Sequence, residues 1–141
     1  QLFYESIRTK QQFGYLVRCS VIKTNTEYYF MQKVQSDRSI IEIENAIRNF
    51  NIEFEKNYKE DEFENLKKSL HNELKEPSSS TYETFSKFLV EISNNKYIFN
   101  RAIIFANKII NIKFTDFRFF LKKFVYNMKP IKIIINGNKK K

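Results

Sequence analysis

The sequence predicts an α+β fold in which an antiparallel sheet is backed by helices. Near the N-terminus, apolar and polar residues alternate with a period of two, which is typical of strands. Most of the remaining chain repeats apolar residues at intervals of three and four, which is typical of amphipathic helices. A composition of 42% hydrophobic residues with only 2 Gly and 2 Pro indicates a globular protein and disfavours a many-turned all-β one. The predicted element order is αββ-αααα-β.

The first elements are a helix and a hairpin. A helix is predicted from Leu2 to Phe13, followed by Gly14 in the left-handed conformation that often ends a helix. Strands are predicted from Tyr15 to Lys23 and from Glu27 to Gln35. The link between them, Thr24-Asn25-Thr26, is short and polar, so the two strands should pair as an antiparallel hairpin.

The chain from Ser36 to Pro130 is predicted to be mainly helical. Asp37 or Ser39 can cap the first of these helices, the serines after Pro77 can cap a later one, and Thr115 or Asp116 the last. After Pro130, the residues Ile131 to Ile135 predict a final strand. The residues expected to face the core are Ile40, Ile43, Ile47, Phe50 and Phe54, then Phe63, Leu66, Leu70 and Leu74, then Tyr82, Phe85, Phe88, Leu89 and Ile92, and finally Phe117, Phe120, Leu121 and Phe124.

Charge and cysteine content restrict the possible partners and compartment. The net charge is +9, but the lysines are widely spread, and only the tail at residues 138–141 is a basic cluster. No run of about 18 apolar residues occurs, so a membrane partner is not expected. The single cysteine, Cys19, cannot form an intrachain disulfide and is interpreted as a small core residue. No targeting segment is visible, and we expect the cytoplasm or an organelle lumen.

Two side chains at one end of the predicted sheet could carry chemistry. Arg8 lies near the end of the first helix, and Tyr15 lies at the start of the first strand. A tyrosine hydroxyl held at a fixed place can donate to an oxyanion, and a guanidinium can bind carbonyls or a carboxylate. By spacing alone, Tyr15 is better explained as a half-buried tyrosine of the sheet, and Arg8 as a solvated helix charge.

The stretch Arg8-Thr9-Lys10-Gln11-Gln12-Phe13-Gly14-Tyr15 resembles the C-terminal half of insulin-degrading-enzyme-like, or pitrilysin-type, zinc metallopeptidases. In that family the signature lies in the last of four related domains, and the matching residues here are Arg8, Thr9, Lys10, Gln12, Gly14 and Tyr15. The resemblance implies that residues 1–141 are a single, partial domain, the later part of a pitrilysin-type domain. It also implies that Arg8 and Tyr15 act in catalysis and that Arg8, Thr9, Gly14 and Tyr15 contact a peptide substrate.

The resemblance implies a zinc ion in a partner domain and none in this chain. The His-x-x-Glu-His zinc motif of the family needs two histidines, and His71 is the only one here. The first hypothesis is therefore a domain that contributes substrate binding and oxyanion stabilisation to a peptidase and is not active alone. The second is a non-catalytic structural or assembly module of the same family. The third, a basic nucleic-acid-binding domain, ranks last, and nucleic acid is not expected as a partner.

Overall fold

The computed structural model describes residues 2–24, 27–127 and 129–137. These residues form a two-stranded antiparallel sheet and a set of helices, which confirms the α+β class. Five α-helices follow the hairpin, one more than in the predicted order αββ-αααα-β. In chain order the elements are α1 (Leu2–Tyr4), a π-helix (Glu5–Lys10), β1 (Leu16–Lys23), β2 (Tyr28–Gln35), α2 (Ile40–Asn57), α3 (Glu60–Lys75), α4 (Thr81–Ser93), α5 (Arg101–Ile109) and α6 (Phe114–Tyr126).

The N-terminal helix is shorter than predicted and changes type. α1 continues directly into the π-helix, which ends at Lys10 rather than at Phe13. Gln12 takes the left-handed conformation expected of a helix exit, with φ of 54°. Gly14 is also left-handed, but it lies beyond the end of the helix. Its conformation therefore directs the chain towards the sheet and does not end the helix.

The hairpin forms as predicted. β1 pairs antiparallel with β2 in a register that places Leu16 opposite Gln35 and Lys23 opposite Tyr28. Two residues of the predicted turn, Asn25 and Thr26, lie outside the described residues. Cys19 is exposed, so its interpretation as a core residue was wrong. The reason is that the helices cover the start of β1, where Val17 is buried, and leave its later residues open.

Serine side chains cap two of the helices. Ser39 and Glu42 form a complete capping box at the start of α2, which decides between the two predicted caps. Ser80 accepts a bond from the Glu83 N–H at the start of α4. The prediction for α6 was wrong, because this helix begins before Thr115 and Asp116, and the residue at its cap position, Lys113, makes no side-chain cap bond.

The buried core is small and lies where the N-terminal helix meets β1 and α2. Its buried members are Phe3, Ile7, Val17 and Ala46, of which Ile7 is fully buried. A second cluster joins α2 to α3 and α6 through neighbouring rings whose centroids lie 4.7 to 5.7 Å apart: Phe54 with Tyr58, Tyr58 with Phe117, and Phe117 with Phe63.

About half of the residues that were predicted to face the core are exposed. Phe63 and Leu121 are buried, and Ile43, Ile47, Phe50, Phe54, Leu74, Phe117 and Phe124 are half-buried. The reason for the difference is that periodicity identifies an apolar face but not a neighbour to cover it. In α4 all five residues predicted to face the core are exposed, although the Phe88 ring contacts that of Phe99 in the following loop. The predicted core residues that are exposed are Ile40, Leu66, Leu70, Tyr82, Phe85, Phe88, Leu89, Ile92 and Phe120.

The predicted final strand at Ile131–Ile135 does not form. Residues 129–137 are described and have neither helix nor strand structure. A strand needs a paired neighbour, and this segment instead lies beside α2, where the Lys132 Nζ is 2.8 Å from a Glu44 carboxylate oxygen. The basic tail at residues 138–141 lies outside the described residues. Among the described helices, none combines the length and apolar character needed to cross a membrane.

Candidate functional site

The loop between the π-helix and β1, residues 11–15, carries two of the four predicted site residues, Gly14 and Tyr15. Its course is fixed by backbone bonds to the preceding helix: the Gln11 N–H donates to the Ser6 carbonyl at 3.2 Å, and the Phe13 N–H donates to the Ile7 carbonyl at 2.9 Å. Because Ile7 is fully buried, the second bond ties the loop to the core. We call residues 11–15 the Tyr15 loop.

Gly14 brings the Tyr15 loop against the end of β2. Its φ is +68°, and a Cβ placed on it would lie 1.9 Å from the Gln35 carbonyl oxygen. No side chain fits at that distance from another backbone, so glycine is required twice, for the conformation and for the close approach. The next residue uses this closeness, because the Tyr15 N–H donates to the same Gln35 oxygen at 2.9 Å.

Arg8 holds the loop from the other side. Its Nη1 donates to the Gly14 carbonyl oxygen at 2.8 Å and also to the Tyr15 carbonyl oxygen. Its guanidinium carbon lies 5.8 Å from the centre of the Tyr4 ring, so the side chain lies back over its own helix. Arg8 is half-buried and bonded to backbone, so it is not the solvated helix charge that spacing alone allowed.

The Tyr15 side chain points into solvent. It is 78% exposed, so the alternative of a tyrosine packed in the sheet does not hold. Within the described part of the chain, its hydroxyl makes no hydrogen bond, whereas its backbone is bonded at both N–H and carbonyl. The backbone of Tyr15 is therefore fixed while its hydroxyl is exposed to solvent, so the hydroxyl can donate a hydrogen bond to a bound molecule.

The structure thus brings three of the four predicted site residues, Arg8, Gly14 and Tyr15, into one hydrogen-bonded group. Thr9 is adjacent to Arg8 but exposed, and it makes no bond to this group among the described residues. The roles assigned to all four in catalysis and substrate binding remain predictions.

One residue of the site was not identified from the sequence as a participant. Gln35 supplies the oxygen that receives the Tyr15 N–H and that makes glycine necessary at position 14. The available signal was its place at the end of the second strand, because in an antiparallel hairpin the end of β2 faces the start of β1.

The described residues do not bring metal ligands together. No group of three or more His, Cys, Asp or Glu side chains in these ranges could hold a metal ion. The Nδ1 of His71 lies 3.0 Å from the Ala106 carbonyl oxygen and so links α3 to α5. The side chains described here therefore do not fit a zinc site.

Comparison with known proteins defines the class of domain. Residues 1–89 match a family model described as "PQQ synthase PqqF-like, C-terminal lobe domain 4". This matched segment contains Arg8, the Tyr15 loop and Gln35, together with the helices α2 and α3. The class is therefore that of a C-terminal lobe domain.

The chain belongs to the pitrilysin/insulinase-like family, as its opening residues suggested. It is also similar to the insulin-degrading enzyme of Drosophila melanogaster, with 31% identity over 125 residues. That similarity covers 86% of this chain but only 13% of the relative's length.

Proposed function

We propose that this chain contributes the Tyr15 hydroxyl and the Arg8 guanidinium to the active site of a peptide-cleaving zinc metallopeptidase. The observation that carries the proposal is the hydrogen-bonded group of Arg8, Gly14 and Tyr15. It fixes the backbone of Tyr15, while the side chain of this tyrosine stays exposed. The metal belongs, in this proposal, to another part of the assembled enzyme, and the chain alone is inactive.

Tyr15 acts on the tetrahedral intermediate of peptide hydrolysis. As the scissile carbonyl is attacked, negative charge develops on its oxygen, and a donor that is already in place stabilises this charge more than it stabilises the substrate. The Tyr15 N–H donates to Gln35 and the Tyr15 carbonyl accepts from Arg8, and these two bonds fix the backbone from which the ring projects. A donor of this kind contributes about 10²–10³ in rate.

Arg8 has two tasks in this proposal. Its Nη1 positions the Tyr15 loop, while its Nε and Nη2, which have no hydrogen bond to any other described residue, bind substrate carbonyls. The exposed Thr9 hydroxyl and the Gly14 backbone lie beside these donors in the chain and complete the surface that receives the peptide.

The partner of this domain is the zinc-binding half of the enzyme, and the peptide lies enclosed between the two. Support comes from the exposed apolar surface of α4, where Tyr82 is 79% and Phe85 59% exposed. Apolar patches of this kind mark contact surfaces more often than free ones.

Steady-state kinetics on a quenched-fluorescent peptide, with the assembled enzyme, would test these roles. Tyr15→Phe should lower kcat about 10²-fold with little change in KM, because only a transition-state donor is removed. Tyr28→Phe is the matched control, since it removes an exposed hydroxyl at the end of the hairpin away from the Tyr15 loop. If both variants turn over like the wild type, Tyr15 has no catalytic role.

Arg8→Ala should both raise KM and lower kcat, because it removes a substrate donor and frees the Tyr15 loop. Arg8→Lys separates the two tasks: a single ammonium can keep one bond to the loop but cannot provide the fork for substrate. We therefore expect Arg8→Lys to recover kcat more than KM. Equal recovery of both would assign Arg8 to the loop alone.

A structural or assembly module of the same family is the second candidate, and the exposed α4 stripe favours it as well. In that case, substitutions in the stripe would weaken assembly while Tyr15→Phe would leave every measured property unchanged. Phe85→Asp, assayed by size-exclusion chromatography with the zinc-binding half, would report on assembly separately from chemistry.

A further inference from the structure

One peptide bond of the chain joins an asparagine to a glycine, and it lies in the segment that follows α6. The chain has two glycines: Gly14 follows Phe13, and Gly137 follows Asn136. Every other asparagine is followed by a residue that carries a Cβ. An asparagine side chain is short enough to reach the backbone nitrogen of the residue after it. Glycine, which has no Cβ, allows this approach most easily because its backbone adopts the widest range of conformations.

The described part of the chain does not restrain this pair. Residues 129–137 have neither helix nor strand structure, and Asn136 is exposed. Nothing lies within 4 Å of a Cβ built on Gly137. Within the described ranges, the Gly137 N–H donates no backbone hydrogen bond. The side-chain amide of Asn136 and the backbone nitrogen of Gly137 can therefore meet without any part of the fold opening first.

Asn111 shows how the fold prevents the same approach elsewhere. It is also exposed, but its Nδ2 donates to the Asn107 carbonyl oxygen at 2.8 Å, so its amide is held back over the preceding turn. The next backbone nitrogen is occupied as well, because the Ile112 N–H donates to the Ile109 carbonyl oxygen at 3.0 Å. Exposure alone thus does not distinguish Asn136, whereas the lack of both restraints does.

We propose that Asn136 is a site of spontaneous deamidation. The backbone nitrogen of Gly137 attacks the side-chain carbonyl carbon of Asn136 and gives up its proton. A C–N bond forms and closes a succinimide ring, while the bond from that carbon to the side-chain nitrogen breaks and ammonia leaves with the proton. Water, which is the only other reactant, then adds to one of the two ring carbonyls and opens the ring.

The two directions of ring opening give two products. Opening at the former side-chain carbonyl gives aspartate at position 136, and opening at the backbone carbonyl gives isoaspartate, in which the main chain runs through the side chain. Either carboxyl is ionised at neutral pH, so the net charge of +9 falls by one unit. The new negative charge lies directly before the basic cluster at residues 138–141. This change accumulates with the age of the chain and does not depend on the role proposed for Tyr15.

Incubation of the full chain in neutral buffer, followed at intervals by proteolytic digestion and mass spectrometry, tests the proposal. We expect the peptide that contains Asn136 to be replaced by two products of equal mass, aspartate and isoaspartate, which electron-transfer fragmentation distinguishes. The peptide that contains Asn111 should keep its amide and serves as the reference within the same sample. The rate at Asn136 should rise with pH, because the attacking nitrogen must lose its proton.

Gly137→Ala should slow the reaction at Asn136 at least about tenfold, because the added Cβ restricts the approach of the backbone nitrogen. Ile135→Ala is the matched control, since it changes the other neighbour of Asn136 at an 89% exposed position and should leave the rate nearly unchanged. Unfolding the wild type in urea should change the rate at Asn136 by less than about twofold, because the fold does not restrain it.

Three results would overturn the proposal. Asn136 could keep its amide for as long as Asn111 does, or Gly137→Ala could react as fast as the wild type. Aspartate could also form without isoaspartate, which would mean that water attacks the side chain directly and that Gly137 takes no part. A several-fold faster reaction in urea would contradict the statement that the folded chain leaves this pair unrestrained.

Discussion

Replacing Gly14 with alanine should destabilise the loop that carries Tyr15, and the structure allows the cost to be estimated. The left-handed conformation at φ of +68° costs a residue with a Cβ about 1 kcal/mol. The added methyl would lie 1.9 Å from the Gln35 carbonyl oxygen and 2.8 Å from its carbon, so the loop must move away from β2. That movement breaks the bond from the Tyr15 N–H to Gln35, worth about 1 kcal/mol more.

We therefore expect Gly14→Ala to lower the free energy of unfolding by about 2–4 kcal/mol, measured by urea denaturation followed by circular dichroism. Gly137→Ala is the control within the same chain, because nothing lies within 4 Å of a Cβ built there. It should change the free energy by less than about 0.5 kcal/mol. A loss below about 0.5 kcal/mol for Gly14→Ala would refute the close approach of the loop to β2.

Three further predictions concern the core, a buried ion pair and metal binding. Ile7→Ala should lower the free energy of unfolding by about 3–4 kcal/mol because Ile7 is fully buried, while Ile131→Ala at an 82% exposed position should have almost no effect in the same denaturation assay. Hydrogen bonds from Arg101 lower the pKa of Glu91. The ion pair therefore stabilises the fold at pH values above the ordinary carboxyl pKa, and this stabilisation is lost as the pH falls and Glu91 is protonated. The difference in Tm between the wild type and Glu91→Gln should accordingly become smaller between pH 7 and about pH 3. After chelation and repurification, metal analysis of the chain alone should find no stoichiometric zinc, and one tightly held zinc per chain would contradict the proposed division of the active site.

Local signals in the sequence predicted most of the elements correctly. The alternation at Tyr15–Lys23, the serines at positions 39 and 80 and the apolar spacing of α2 each act within a few residues, so they could be interpreted without the rest of the chain. The prediction of a final strand failed because pairing depends on a distant neighbour: Ile131–Ile135 has the composition of a strand, but the described residues place no strand beside it. The prediction that the apolar stripe of α4 is buried failed for the same reason, since nothing in the residues of α4 determines what packs over them.

Three members of the hydrogen-bonded group were named from the sequence, whereas Gln35 was not identified and the predicted Thr9 lies outside the group. The resemblance of the opening residues pointed to Arg8, Gly14 and Tyr15, and they do lie in one bonded group. The sequence could not show that the Arg8 Nη1 donates hydrogen bonds to carbonyl oxygens of the Tyr15 loop, because these bonds depend on the π-helix and on the course of residues 11–15.

The central claim is that the Tyr15 hydroxyl acts on the transition state of peptide hydrolysis. It is tested most directly by comparing, for the assembled wild-type enzyme and its Tyr15→Phe variant, the affinities for an uncleaved peptide and for the same peptide with a tetrahedral phosphinate at the scissile bond. Tyr15→Phe should weaken phosphinate binding about 10²-fold and leave peptide binding unchanged, because the hydroxyl meets its acceptor only in the tetrahedral geometry. If the variant binds the phosphinate as tightly as the wild type does, Tyr15 is not the oxyanion donor.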